Sequence, residues 1–425
     1  MKMEYKKLTT IFSFIGLGSL ISAGFVFLTQ IMIARQLSIF EFGIFSSSLV
    51  TITLLVPLAG FGVAGFWLHL FAKEGWHGMH WLPSSFYLIL FSSTIVFVLL
   101  LVWSFYGPHG PLTASILPIM GLYIYGQVIS ELVISKLQLE ERYRTLMFWQ
   151  FAPPMSRFII ILILLYAISL SINLKDIAYV YALTSLFVLI FGLSSLSNML
   201  NRNFLLKGHN GFKQVSIGVP IVKPNITQVA NKAWPYSMAG ILYLVYFQSD
   251  IIILKYLVGA EAAGIYNSSI LLLMMIYLLP GSIYQKYLLP KFHYWANQDT
   301  KQLDRIYNIG NIVMLLLGTL FMLFLWNTAH LIIPALFGSK FHVAIQLTKI
   351  LSLVIPIHFL VISTGAFLAT KRPQKKVLYM SLVAMLNVFL NFVLIPTYEF
   401  YGAAMATIIS EFVLVVLFLY SSNTR

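Results

Sequence analysis

The stretch Thr29–Phe45, TQIMIARQLSIFEFGIF, places one basic residue, Arg35, at the end of an apolar run that carries no charge after Lys7. Asp250–Tyr266, DIIILKYLVGAEAAGIY, repeats the arrangement: Lys255 closes an apolar run, and an acid, a glycine and an aromatic follow. Gly43 and Phe45 align with Gly264 and Tyr266 at an offset of 221 residues. A long uncharged run is a bilayer span, and its recurrence in the same sense makes the chain a duplicated membrane protein.

The composition agrees. Of 425 residues, 59% are hydrophobic and only 9% charged, against about 25% charged in soluble domains. Punctuation by turns and charges gives twelve spans, at 8–36, 39–71, 83–106, 111–136, 145–169, 175–201, 229–257, 260–289, 305–328, 341–369, 374–397 and 400–422. The first apolar run, Leu8–Ala34, is too long for a signal-peptide core and reads as a retained helix. Kinks are expected at Pro57, Pro153–Pro154, Pro280 and Pro356.

Basic residues set the orientation. Of the 27 lysines and arginines, only Arg35, Lys175, Lys255 and Lys340 fall on one side, while Arg157 and Lys349 lie within spans. The rest gather in the opposite loops, so that side is cytoplasmic and both termini face it. The net charge of +14 is therefore a property of cytoplasmic loops and implies no nucleic-acid partner. There are no cysteines, which excludes disulfides, thiolate metal sites and a cysteine nucleophile.

The expected fold is an all-α integral membrane protein of about twelve transmembrane helices, arranged as two six-helix halves around a central cavity. Residues 1–201 form the first half, 202–228 a cytoplasmic linker rich in glycine and proline, and 229–425 the second half. A second echo supports the repeat: 140–157, EERYRTLMFWQFAPPMSR, parallels 370–387, TKRPQKKVLYMSLVAMLN, at an offset of 230. With six spans between equivalent points, the copies share one orientation about an axis along the membrane normal.

Ionisable residues inside spans mark pathways or buried pairs, because each costs about 2.5–3.5 kcal/mol on insertion scales. Arg157 lies about twelve residues into its span, roughly 18 Å deep at 1.5 Å per residue. It either faces cargo or pairs with an acid on a neighbouring helix. Arg35 is either a headgroup anchor or, with Lys255, one of two basic residues on opposite walls of a pseudo-symmetric pathway. Asp250 continues a stripe with Tyr236 and Tyr243, and either pairs with Arg35 or Lys255 at an outer gate or contacts substrate. Lys349 shares a face with His342, Ser352 and Pro356; Glu411 shares one with Ala404 and Thr407. Arg157, Arg35, Lys255 and Lys349 are thus candidate contacts of a cationic cavity, and Asp250 and Glu411 candidate gating, ion-pair or coupling residues. Four basic groups against two acidic favour an anion, phosphate above all, which arginine grips with paired hydrogen bonds. No catalytic or metal constellation appears: His330 and His358 have no acid at metal-site or triad spacing, and no phosphate-binding glycine loop ends in Gly-Lys-Ser/Thr. The expectation is a transporter without cofactors, not an enzyme.

The C-terminal stretch MLNVFLNFVLIPTYEFYGAAMATIISEFV (385–413) resembles the closing helices of lipid-linked oligosaccharide flippases, within the multidrug and polysaccharide exporter superfamily. Asn387, Asn391, Leu394, Ile395, Pro396, Gly402, Ala403, Ala404, Ala406, Thr407 and Ser410 carry the match. The segment FGSKFHVAIQLTKILSLVIPIHFL (337–360), the ATKRPQKK turn (369–376) and both glycine-aromatic motifs are similar too. One departure is Glu399, where such proteins often carry glycine after Leu-Ile-Pro. The resemblance implies movement of undecaprenyl-pyrophosphate-linked sugar repeat units, for O-antigen or related polysaccharides, across a bacterial cytoplasmic (inner) membrane by alternating access. It implies that Arg35, Arg157 and Lys255 serve a cationic cavity, and that polysaccharide polymerase or chain-length machinery are partners. A multidrug exporter of the same fold would be expected to carry an acid in the first span, and residues 8–34 have none. A membrane polymerase or ligase would carry a large external loop, and the longest external segment, around Asn327–His342, is short.

Overall fold

The computed structural model describes residues 2–166, 172–201, 206 and 224–423; most of the expected 202–228 linker lies outside them. The described residues are almost all helical, with no strand among them. Its α-helices run α1 Lys2–Gln36, α2 Ile39–Gly60, α3 Val63–Glu74, α4 Leu82–Tyr106, α5 Pro111–Leu139, α6 Tyr143–Tyr166 and α7 Leu174–Leu200. They continue with α8 Ile226–Leu257, α9 Ala260–Ser282, α10 Leu289–Gln298, α11 Thr300–Phe337, α12 Val343–Ser352, α13 Val354–Lys371 and α14 Pro373–Asn423.

Ten apolar segments of the described chain are long enough to cross a bilayer. Two of them are too long for one crossing. Ile39–Tyr106 has 68 residues and Pro373–Ser422 has 50, while about 20 residues span the hydrocarbon core. The first is divided by the turn Gly75–Trp81 and the second at Glu399, which is consistent with twelve crossings. Lipid contact is visible on the helices themselves: Leu90, Phe91 and Leu99 of α4, Phe187, Ile190 and Phe191 of α7, and Leu316, Leu320 and Leu323 of α11 are all exposed. Contiguous apolar surface of this kind belongs against acyl chains, not water.

The breaks follow local chemistry. Between α2 and α3, Phe61 and Gly62 both adopt positive φ (48° and 68°). A break inside a membrane frees carbonyls that water cannot reach, so side chains must satisfy them. Serines do this here: Ser237 donates to the Pro57 carbonyl and Ser92 to that of Ala59, both at 2.7 Å. The span expected at 341–369 divides at Leu353, between α12 and α13 and just ahead of Pro356, as a proline within the following helix favours. Pro280 precedes a π-helical turn, Ile283–Leu288. By contrast α6 runs through Pro153 and Pro154 as one helix.

The described chain falls into two compact units, 1–26 with 51–244, and 27–50 with 245–425. The first packs α5 against α7, with α4, α6 and α3 around them, over a core that includes Trp67, Phe71, Met120 and Ile124. The second packs α13 between α11 and α14, with α9 on α12, over Phe337, Phe341, Phe359 and Phe418.

Within the second unit the repeated motif meets itself. A Cβ at Gly43 would stand 1.6 Å from the Ala260 carbonyl oxygen, and one at Gly264 would stand 2.5 Å from that of Ile39. Ile39 and Ala260 are themselves 221 residues apart, as are Ser46 and Asn267, whose side chains hydrogen-bond at 2.9 Å. Residue i of one copy therefore touches j of the other while j touches i, the pattern of a contact across a twofold axis. Both glycines are required because α2 and α9 approach backbone to backbone.

Candidate functional site

The first unit holds Arg157 on α6. It is 6% exposed, and its guanidinium carbon lies 5.1 Å from the Tyr123 ring centre and 4.8 Å from that of Tyr181. Nη1 donates to the Tyr123 hydroxyl at 3.3 Å and Nε to the Pro153 carbonyl at 3.3 Å. That carbonyl is the ordinary i−4 acceptor of an intact helix, so the kink expected at Pro153–Pro154 is not what supplies it. Among the described residues Arg157 enters no ion pair. The acidic partner that a structural ion pair requires is therefore missing. The charge is stabilised by π faces and hydroxyls, beside a small polar niche lined by Gln127, Ser130, Thr184 and Ser185.

The second unit holds the acids. Asp250 of α8 is 4% exposed. Its Oδ2 accepts from the Tyr266 hydroxyl at 2.6 Å and from Thr407 at 2.9 Å, and its Oδ1 accepts from Asn391 Nδ2 at 2.5 Å. The other amide hydrogen of Asn391 goes to Asn387 Oδ1 at 3.1 Å. Tyr266 and Thr407 also lie 3.0 Å apart; Tyr266 donates to Asp250, and the single Thr407 hydrogen is shared between Asp250 and the Ala403 carbonyl at 3.0 Å. Three neutral donors from α9 and α14 thus solvate a carboxylate that pairs with neither Arg35 nor Lys255. Nor does the Tyr236–Tyr243–Asp250 stripe converge, since Tyr243 is half exposed while Asp250 is buried.

Glu411, one turn beyond Thr407 on α14, is equally buried, and its Oε1 lies 2.9 Å from His358 Nδ1 on α13. Asp250 and Glu411 line one cavity together with Tyr246, Tyr277, Asn387 and Ser410. Its volume of about 30 Å³ suits water, not a substrate. The partner of Glu411 lies 53 residues away in sequence, which is why no short-range spacing marked His358.

Arg35 makes contacts that neither reading of its sequence position, headgroup anchor or pathway wall, described. Nε donates to the Leu336 carbonyl at 2.8 Å and Nη2 to that of Ala335, so it caps the C-terminus of α11. Lys340, just beyond α11, reciprocates by donating to the Arg35 carbonyl at 2.9 Å and to that of Leu37, at the C-terminus of α1. Each cation sits where the partner helix presents unpaired carbonyls and the negative end of its dipole. Burial pulls the Lys340 ammonium below the usual lysine value, against a smaller opposing effect of Glu41. Lys255 belongs to the same compact unit as Arg35, so the two are not divided between the units. Its ammonium lies 5.4 Å from the ring centre of its own neighbour Tyr256. Lys349, part-buried in the last turn of α12, enters no ion pair among the described residues.

A family model described as "Polysaccharide biosynthesis protein" matches residues 9–294. None of the curated proteins compared with the chain matches it. Among solved structures, the chain is similar to a lipid II flippase MurJ in an inward closed conformation, with a TM-score of 0.73 and 15% identity over 98% of this chain and 88% of that one. It is also similar to an inward-facing multidrug resistance MATE family transporter of the MOP superfamily, with a TM-score of 0.63 and 13% identity over 96% of each chain. A MOP superfamily transporter from Pyrococcus furiosus gives a TM-score of 0.61 and 14% identity over 98% of this chain and 94% of that one. At these identities the likeness establishes the fold.

Proposed function

The chain belongs to the polysaccharide biosynthesis protein family, and from that membership we propose that it is a flippase for anionic lipid-linked glycans. In this reading it moves undecaprenyl-pyrophosphate-linked repeat units from the inner to the outer leaflet of a bacterial cytoplasmic membrane by alternating access. The units feed O-antigen, capsule or exopolysaccharide assembly, and polymerase and chain-length machinery take the product. Both termini face the cytoplasm.

One observation carries the reading: Arg157 is a buried cation with no carboxylate partner among the described residues. Burying a charge is costly unless something compensates it. Tyrosine faces compensate only in part, so the site favours an incoming anion. A guanidinium matches pyrophosphate oxygens with parallel hydrogen bonds, and Gln127 and Ser130 line the niche beside it; at about 10 Å³ that niche must widen during the cycle to admit a headgroup. Lys255 and Lys349 are secondary anion contacts, whereas Arg35 is assigned to the helix clasp. Asp250 and Glu411, held in the other compact unit, serve energy coupling.

The test follows lipid-linked repeat units by leaflet in cells with and without the gene. Unchanged arrival at the outer face would defeat the transport reading. Arg157→Ala is expected to slow flipping roughly 10- to 100-fold, from the loss of about 1.5–3 kcal/mol of charged hydrogen bonding, at normal membrane levels. Wild-type flipping in that variant would remove Arg157 from the cargo path.

A further inference from the structure

We propose that His358 and Glu411 form a proton-carrying site, loaded with one proton shared across their hydrogen bond and unloaded into the adjoining cavity. The starting point is how differently the two acids of this cavity are satisfied. Asp250 receives three hydrogen bonds from neutral donors, which suits a fixed ionised carboxylate. Glu411 has one well-formed hydrogen bond, with His358 Nδ1 at 2.9 Å, and that partner is itself a base.

With one proton between them the pair is neutral overall, as imidazolium and carboxylate or as imidazole and carboxylic acid. Without it the pair has a net charge of −1, buried beside the second carboxylate, Asp250. Loss of the proton is therefore coupled to access of water. The N–H or O–H bond breaks, the proton leaves on cavity water as hydronium, and no electrons are exchanged.

The loaded form is built for. The His358 ring lies 4.1 Å from the Tyr277 ring centre, inclined by 33°, and edge-on to Phe247 at 5.7 Å, so π density faces an imidazolium. The unloaded form is provided for as well. The Tyr246 hydroxyl lies close enough to Glu411 to interact but outside good hydrogen-bond geometry, and Glu411 Oε2 and the Tyr277 hydroxyl form no well-aligned bond. A purely structural buried pair satisfies its remaining lone pairs with protein donors. Here the unpaired oxygens converge on a cavity of about 30 Å³, where water bridges them. The ionisable groups facing the pair are Tyr246 and Asp250 from α8 and Tyr277 from α9. Among the described residues lining the cavity, α11 and α12 contribute none.

As an energy-coupling site the pair rests on the transport reading. As a proton site it does not, so the two fail separately. The test is infrared difference spectroscopy on the purified full-length protein in nanodiscs, without substrate, stepping pH at constant sodium and then sodium at constant pH. A pH-dependent change in the carboxyl or imidazole bands is expected, lost in Glu411→Gln, retained in Asp250→Asn and unmoved when sodium replaces choline. In His358→Gln its midpoint is expected to move by at least about one pH unit, a tenfold change in proton affinity. That second variant decides the matter should Glu411→Gln fail to fold. A change that survives Glu411→Gln, a midpoint indifferent to His358, or a response to sodium but not to pH would each overturn the proposal.

Discussion

Adding one methyl group at Gly43 is expected to do more harm than at any other helical glycine of the repeat. In an unobstructed helix, Gly→Ala stabilises by about 0.5–1 kcal/mol, because glycine loses more backbone entropy on folding. At Gly43 the new Cβ would lie 1.6 Å from the Ala260 carbonyl oxygen and 3.0 Å from Gly264 N. A tolerable C···O contact is about 3.3 Å, so α2 and α9 must part by about 1.7 Å. Both obstructing atoms are backbone and cannot rotate away. Overpacking of this kind costs about 1–3 kcal/mol. The buried bond from Asn267 to Ser46, 2.9 Å long and one turn along the same seam, would be lost with it, at about 1–3 kcal/mol for the unsatisfied amide. Gly43→Ala should therefore destabilise by about 2–5 kcal/mol, about a third of the net stability of about 5–15 kcal/mol of a typical fold.

Gly264→Ala provides the graded comparison. Its Cβ would meet Ile39 O at 2.5 Å, needing only about 0.8 Å of relief, so a loss of about 1–3 kcal/mol is expected. Gly24→Ala is the control, since nothing lies within 4 Å of its Cβ; it should be neutral or slightly stabilising. The assay is the midpoint of heat-induced loss of the monodisperse chromatography peak for each purified variant. The expected order of midpoints is Gly24→Ala at or above wild type, then Gly264→Ala, then Gly43→Ala. If Gly43→Ala matched the control, α2 and α9 would not meet backbone to backbone and the twofold contact would be wrong.

Three further substitutions probe single features. Glu399 occupies φ 51°, ψ −132°, a conformation costing an L-residue about 1–3 kcal/mol; Glu399→Gly should raise the melting midpoint, by about 1 kcal/mol net of glycine's entropy. Arg35→Ala removes an exposed helix cap and should cost about 0.3–1 kcal/mol, with flipping within about threefold of wild type. A tenfold fall in flipping at unchanged stability would make Arg35 a cargo contact instead. Asp250→Asn turns an amide donor toward Tyr266, Thr407 and Asn391, and a loss of about 3 kcal/mol is expected from the broken charged hydrogen bonds. An unperturbed melting curve would mean that these donors do not hold an ionised carboxylate.

The spans were legible because hydropathy integrates over 20 residues and tolerates local error. The Phe61–Gly62 break was only foreshadowed: Pro57 stands four residues ahead of it, and the serines that repair its carbonyls come from elsewhere in the chain. Glu399 was legible in an instructive way. It departs from the glycine such proteins often carry, and the backbone there adopts a positive φ that glycine tolerates best. Gly402 lies against the Leu394 carbonyl, 2.4 Å from a would-be Cβ. The Leu-Ile-Pro…Gly signature is thus the record of one tight turn, and this chain meets its geometry with a residue that fits it badly.

Charges were legible as positions but not as partnerships. Counting four basic against two acidic groups treated the spans as one pool, whereas Arg157 belongs to one compact unit and the other five to the second. Partners lie far off in sequence: Tyr123 is 34 residues from Arg157, Glu411 is 53 from His358, and Leu336 is 301 from Arg35. Helix rotation decides such meetings, and a periodicity near 3.6 does not report which neighbour a face will find. Once the partners are known, four charges, three of them buried and Arg35 exposed, turn out to be met in four ways. Arg35 uses helix carbonyls, Asp250 neutral donors, Arg157 aromatic faces, and Glu411 a second titratable group. The first two arrangements are complete as they stand. Arg157 lacks an anion and Glu411 leaves an oxygen unpaired, so these two positions retain an unmet interaction that cargo and proton, respectively, would fill.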